Sequence, residues 1–395
     1  MRGLFAIMGT ALCLAAGTQA MAGEIKVGEI NSYSALPAFT DPYKKGWQLA
    51  LDEVNAAGGI NGDTLVIISK DDGGKPGDAL TAANELVAKE GVVMISGSFF
   101  SNVGMAVADF AKQKKVFYLA GEPLTDAMIW SKGNDYTFRL RPPNYVQAAM
   151  LAQEAAKLPA KRWATIAPNY EYGQSAVAVF KELLQKARPD VEFVAEQWPP
   201  QGKIDAGSVA QAIEAAKPDA ILNVEFGADL VKLVREGTTR DLFKGRSVVS
   251  FLTGEPEYLD PLKTDTPEGW IVTGYPWYSV DTPAHKAFVD AYQKRYNDYP
   301  RLGSVVGYAL VKSMAAILTK AKSTDTDALI AAAKGVSVDT PFGPITYRAA
   351  DHQSTLGAFI GKTALKDGKG VMVDFQYHSG SEFLPSEADA AKLRP

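Results

Sequence analysis

The stretch with the clearest chemical potential is Val92–Gly104, VVMISGSFFSNVG. An apolar run, a Gly-Ser turn and the pair Ser101-Asn102 precede a helical pattern that reaches about Gln113. Such a connection aims unpaired backbone N–H groups and the positive end of a helix at one point in solvent. Ser101 or Asn102 is the expected N-cap, and a carboxylate or phosphate can take over from the cap. Phe99 and Phe100 stand where a turn is normally polar, with inward packing as their alternative role.

Other chemistry is hard to assemble from this sequence. No G-x-G-x-x-G follows the first strand, no G-x-x-x-x-G-K-[ST] occurs, and Gly73-Gly74-Lys75 lacks the hydroxyl residue a phosphate loop needs. There is no G-x-S-x-G elbow. The three histidines, His285, His352 and His378, are well separated. Asp351-His352-Gln353-Ser354 holds triad residue types, yet sequence neighbours cannot converge on one reacting atom, so local turn hydrogen bonds are expected there. No H-E-x-x-H is present and Asp71-Asp72 lacks calcium-loop spacing. No catalytic residue, metal site or cofactor is expected, although a pair of acid/base carboxylates stays open.

The first residues indicate a compartment. Arg2, an apolar run from Leu4 to Ala16 and Ala20-Met21-Ala22 form the pattern of a signal peptide covering residues 1–22. Removing it from the 395 residues leaves 373 and takes away Cys13, the only cysteine, so disulfides and thiol chemistry are excluded. With 41 basic against 45 acidic residues, a net charge of −4 and no basic cluster, nucleic acid and anionic membrane surfaces are not expected partners. No later apolar run reads as membrane-spanning.

Short strands alternate with helical repeats along most of the chain. The first series holds strands at Ile25–Ile30, Leu65–Ser69, Val92–Ser96 and Val116–Ala120, with Gly58-Gly59, Asp71–Gly74 and Gly121-Glu122-Pro123 as their punctuation. Pro142-Pro143 marks a crossing into a second series, and Gly274–Tyr278 a crossing out of it. This is an α/β pattern of two doubly wound parallel-sheet domains. Late strands are expected at 341–347, 357–362 and 371–377.

Ile25-Lys26-Val27-Gly28, the block Gly46-x-x-Leu49-Ala50-x-Asp52-Glu53-Val54-Asn55-Ala56-Ala57-Gly58-Gly59-Ile60-Asn61-Gly62, Asp71-Asp72 and Tyr172-Gly173 together resemble the branched-chain amino-acid (Leu/Ile/Val) type of ABC-transporter solute-binding protein, in the type I periplasmic binding protein family. The resemblance implies two domains, 23–140 with 277–350 and 141–276 with 351–395, joined by a three-crossover hinge that closes on a small molecule. It implies a periplasmic, non-enzymatic, monomeric protein that delivers its ligand to ABC permease subunits. A ligand-sensing receptor component, or a secreted hydrolase on the same frame, is the alternative.

Carried onto this sequence, the family's carboxylate-binding turns fall at Ser101 and Asn102 and at Gly121-Glu122. The second domain contributes Tyr172, Phe226 and Glu255, the last as counter-charge for an amino group. The departures are Phe99 and Phe100 before the Ser-Asn pair, and Glu122, whose charge would repel a bound carboxylate. Tyr33, Phe39, Phe100 and Trp277 add a possible aromatic lining, which favours a flat ligand. The ligand is therefore expected to be an amino acid or an aromatic acid.

Overall fold

The structure is a computed structural model that describes residues 23–395. The expected signal peptide, residues 1–22, lies outside the described residues.

Five parallel strands form the first sheet: β1 (Glu24–Asn31), β2 (Thr64–Asp71), β3 (Met94–Gly97), β4 (Phe117–Ala120) and β5 (Thr137–Arg139), in the order β2-β1-β3-β4-β5. All residues of β3, β4 and β5 are buried, as strands covered on both faces require. The second sheet contains β6 (Arg162–Ile166), β7 (Glu192–Gln197), β8 (Ala220–Asn223), β9 (Ser247–Gly254) and β10 (Ile271–Gly274). After a ribbon of β11 (Ser337–Thr340) and β12 (Gly343–Thr346), the strands β13 (Ala358–Lys366) and β14 (Lys369–His378) complete it. Its order is β14-β13-β10-β9-β8-β6-β7. Strands β6 to β10 pair in parallel, as expected, and β13 and β14 extend one edge antiparallel. Their apolar alternation was readable, whereas strand direction depends on where the chain re-enters.

Each sheet has a switch point where the strand order reverses, between β1 and β3 and between β6 and β8. Crevices beyond the carboxyl ends at such points are where open α/β sheets bind ligands. The turns after β3, β6 and β8 carry Phe99–Ser101, Tyr170–Tyr172 and Phe226.

Helix Leu302–Ala321 is long and apolar enough to cross a membrane, contrary to the expectation that no later segment would be. It is a core helix, and most of that stretch is buried. It lies directly on helix Pro37–Ala56, where a Cβ at Gly46 would sit 2.0 Å from the Ser304 carbonyl oxygen. Only glycine allows that approach.

The chain passes between the sheets three times, through Leu140–Pro143, Tyr275–Thr282 and Tyr347–Gly357. The third passage differs from the expected division at residue 351. His352 and Ser354 hydrogen-bond the backbone of Arg139, so this strand-like piece stays on the first sheet's edge through Ser354. Gln353 accepts a hydrogen bond from Arg139 Nε at 2.7 Å, tying the first and third passages together. The expected local hydrogen bonds hold only for Asp351, which accepts from Arg348 and from the Gln353 N–H. Asp351 also accepts from the distant Trp130, and His352 reaches across to the first sheet, where its Nδ1 meets the Thr137 carbonyl at 3.1 Å and its ring stacks on Phe138 with centres 3.9 Å apart. Burial lowers the His352 pKa to about 4, so the ring is neutral.

Candidate functional site

The first wall of the interdomain cleft is set by a strained turn. Gly97 and Ser98 both take left-handed backbone angles, φ 100° and 67°. A Cβ at Gly97 would meet the Ile30 carbonyl at 2.4 Å, and the Ser98 hydroxyl is held by Tyr118 at 2.8 Å. Such conformations persist only where surrounding structure imposes them. Here they turn Phe99 into the cleft and make Phe100 the residue that precedes helix Ser101–Lys114. The expected N-cap is thereby corrected: Phe100 occupies that position, and no side chain caps the helix. Ser101 is instead fastened to the next turn, accepting the N–H groups of Leu124 and Thr125, each at 3.2 Å. With its lone pairs used, its hydroxyl proton is left to donate.

The second wall comes from three turns of the other sheet. Tyr170 and Tyr172 open helix Glu171–Ala187, Phe226 precedes helix Gly227–Thr239, and Leu252 bulges from β9 with a left-handed φ of 61°. Tyr258 follows on helix Pro256–Leu262. Rings of the two walls touch across the gap: Phe39 lies 5.4 Å from Tyr258 and 6.4 Å from Phe226, both edge to face, and 5.6 Å from Phe99. The remaining cavity is about 30 Å³, room for about two waters. The rings therefore fill most of the cleft, and a ring-sized ligand must part them.

Beside the rings sits a charged cluster. The buried Arg141 guanidinium lies 2.5 Å from Glu255 Oε1 and 3.8 Å from Glu122 Oε1. Against burial, which disfavours its charge, Glu255 and Glu122 hold Arg141 firmly cationic. Burial raises the pKa of Glu122 to about 8, opposed by Arg141 and reinforced by Glu257. Burial raises Glu255 to about 8 as well, with Arg141 pulling it back, so geometry and not the shift separates the two: Glu255 takes the short Arg141 hydrogen bond and Glu122 does not. Glu257 accepts the N–H groups of Leu302 at 3.2 Å and Gly303 at 2.8 Å, the start of the core helix. Two polar atoms among the residues lining the cleft are buried without a partner, Glu122 Oε2 and Tyr172 Oη. Buried polar atoms are normally paired, so a ligand is their natural complement.

Residues 24–369 match the model of a family described as periplasmic binding protein. The chain belongs to that family. It is similar to the Leu/Ile/Val-binding protein homolog 7 of Brucella abortus, 25% identical over 343 residues, covering 82% of this chain and 84% of that protein. It resembles the solute-binding protein of an ABC transporter from Rhodopseudomonas palustris BisB5, solved with 3,4-dihydroxybenzoic acid. That match has a TM-score of 0.80 and 24% identity, over 90% of this chain and 98% of the other. A Rhodopseudomonas palustris HaA2 counterpart, solved with p-hydroxybenzoic acid, gives a TM-score of 0.82 and 22% identity, over 93% and 100%. The family match makes this chain a periplasmic binding protein, and the solved structures show that it shares their α/β fold.

Of the residues singled out in the sequence, Phe39, Ser101, Glu122, Tyr172 and Phe226 meet in the cleft. Phe100 backs it, packing 5.2 Å from Phe99 and 6.1 Å from Tyr170. Gly121 is buried behind Glu122, donating its N–H to the Gly97 carbonyl. Asn102 lies on the first helical turn outside the lining, and Glu255 faces the hinge side of Arg141. Tyr33 and Trp277 are corrections. The Tyr33 hydroxyl is bound to Glu29 and Trp47 and does not line the cleft, and Trp277 stacks on Tyr299 in an outer groove at 4.8 Å. Arg141, Tyr170, Leu252 and Tyr258 were missed. Only Arg141 left a signal, as one of two arginines in the apolar alternation of Thr137–Arg141.

Proposed function

We propose that this protein captures a small, flat aromatic carboxylate lacking an amino group and delivers it to the membrane subunits of an ABC importer. It would work in the periplasm after removal of residues 1–22, with lobes 23–140 plus 277–354 and 141–276 plus 355–395 closing on the ligand. The observation that carries this reading is the 2.5 Å pair between Arg141 and Glu255. The resemblance cast Glu255 as the counter-charge for a ligand ammonium. Here the protein's own guanidinium fills that seat, so a ligand ammonium would have to displace Arg141 from its short hydrogen bond with Glu255.

The aromatic walls support a ring as the rest of the ligand, since each ring face it gains contributes edge or stacking contacts. Ser101 and the uncapped helix start offer donors for its carboxylate. The relatives solved with hydroxybenzoic acids agree with this choice, while the Leu/Ile/Val-binding relatives favour an amino acid instead. Calorimetry on ligand-stripped protein separates the two readings. Saturable binding of benzoate or 4-hydroxybenzoate, without leucine or valine, is expected. Leucine binding with no aromatic acid bound would overturn the proposal.

A further inference from the structure

One guanidinium serves three buried carboxyls at this end of the cleft, and the three are not equivalent. Glu255 takes the short hydrogen bond from Arg141, and Glu257 takes two backbone N–H groups at a helix start. Both arrangements favour the anion. Glu122 has the 3.8 Å contact and the Asn31 side chain, which favours its anion, while its Oε2 has no partner. Around it stand Glu29 and Asn31 from β1, Tyr43 from helix Pro37–Ala56, Glu255 and Glu257 from the opposite wall, and Arg141. Every charged neighbour except Arg141 is acidic. A negative charge on Glu122 would be the least compensated of the three, and a ligand carboxylate would add another.

We propose that Glu122 hydrogen-bonds the ligand carboxylate as a neutral acid, so that each ligand is held together with one proton. The proposal rests on the aromatic-carboxylate reading above. The Glu122 O–H donates to one carboxylate oxygen, the Ser101 O–H donates to the other, and Arg141 supplies the positive field. No covalent bond changes; the proton stays on the glutamate. This explains how a cleft can present an acid to an acidic ligand.

The sign of the pH effect follows. Free Glu122 is protonated below about pH 8, and a neighbouring anion raises its pKa further. Affinity is therefore constant at lower pH and falls as pH rises through the free-state value. Benzoate, ionised throughout, is titrated calorimetrically from pH 6 to 9 in two buffers of different ionisation enthalpy. Wild type should lose about tenfold in affinity between pH 7 and 9, with buffer-dependent heat showing proton uptake near pH 8. Glu122→Gln, which keeps a donor, should bind within about threefold of wild type at pH 6, with a flat profile.

The same pH slope in Glu122→Gln, or no proton uptake by wild type, would overturn the proposal. If no aromatic acid binds wild type at any pH, the ligand reading fails separately. The protonation is then decided by the infrared difference between wild type and Glu122→Gln at pH 6.5. A neutral-carboxyl band supports the proposal and a carboxylate band overturns it.

Discussion

The rings of the cleft are satisfied by one another, whereas its charged groups are not. Phe39, Phe99, Phe226 and Tyr258 pack edge to face across the gap and could rest indefinitely without a ligand. Beside them, Arg141 is shared among Glu122, Glu255 and Glu257, and Glu122 and Tyr172 each keep a buried polar atom without a partner. The aromatic region sets shape, and it can yield, because edge-to-face contacts are individually weak. The ionic region sets charge and cannot yield, since each buried group there depends on the others.

The largest effect is expected at Arg141. Arg141→Met leaves the buried carboxyls without their cation, which should cost about 3–5 kcal/mol of stability at pH 8 and abolish ligand binding. The carboxyls' folded-state pKa values, already raised by burial, rise further, so stability is retained at low pH and lost as pH increases. Urea unfolding at pH 5.5 and 8 checks this. Equal losses at both pH values would mean that Arg141 acts through packing alone, which would break the contrast between the regions.

A smaller effect is expected in the aromatic region. Phe226→Ala should weaken an aromatic acid by about 10- to 100-fold, the value of a lost ring contact and its buried area, while leaving the pH profile unchanged. A changed pH profile would show that the two regions are coupled. The smallest effects belong to Tyr33→Phe and Trp277→Ala, whose side chains lie outside the cleft. Binding measured by calorimetry should stay within about twofold for both.

The alternation of strand and helix, the crossings and five of the cleft residues were legible because they depend on local pattern and on turn position after a strand. The rest depended on geometry that no local pattern carries. Arg141 sits beside Pro142-Pro143 and read as part of a hinge, yet the strand end points it at glutamates 19 residues before it and 114 after it. Leu252 and Tyr258 reach the cleft because β9 bulges at a left-handed leucine, a conformation that leucine's own preference opposes. Tyr33 and Trp277 were aromatic residues in the right loops pointing the wrong way. Glu122 was recognised as an anomaly, and the three-dimensional surroundings give that anomaly a physical meaning.

The central claim is that Arg141 occupies the seat of a ligand ammonium. The most direct measurement compares 3-phenylpropionate with phenylalanine, which share a ring and a carboxylate and differ by the amino group. Titrated calorimetrically into ligand-stripped protein at pH 7, 3-phenylpropionate should bind at least about 100-fold more tightly, as expected when Arg141 already takes the carboxylate that a buried ammonium would need. Equal affinity, or a preference for phenylalanine, would contradict the account.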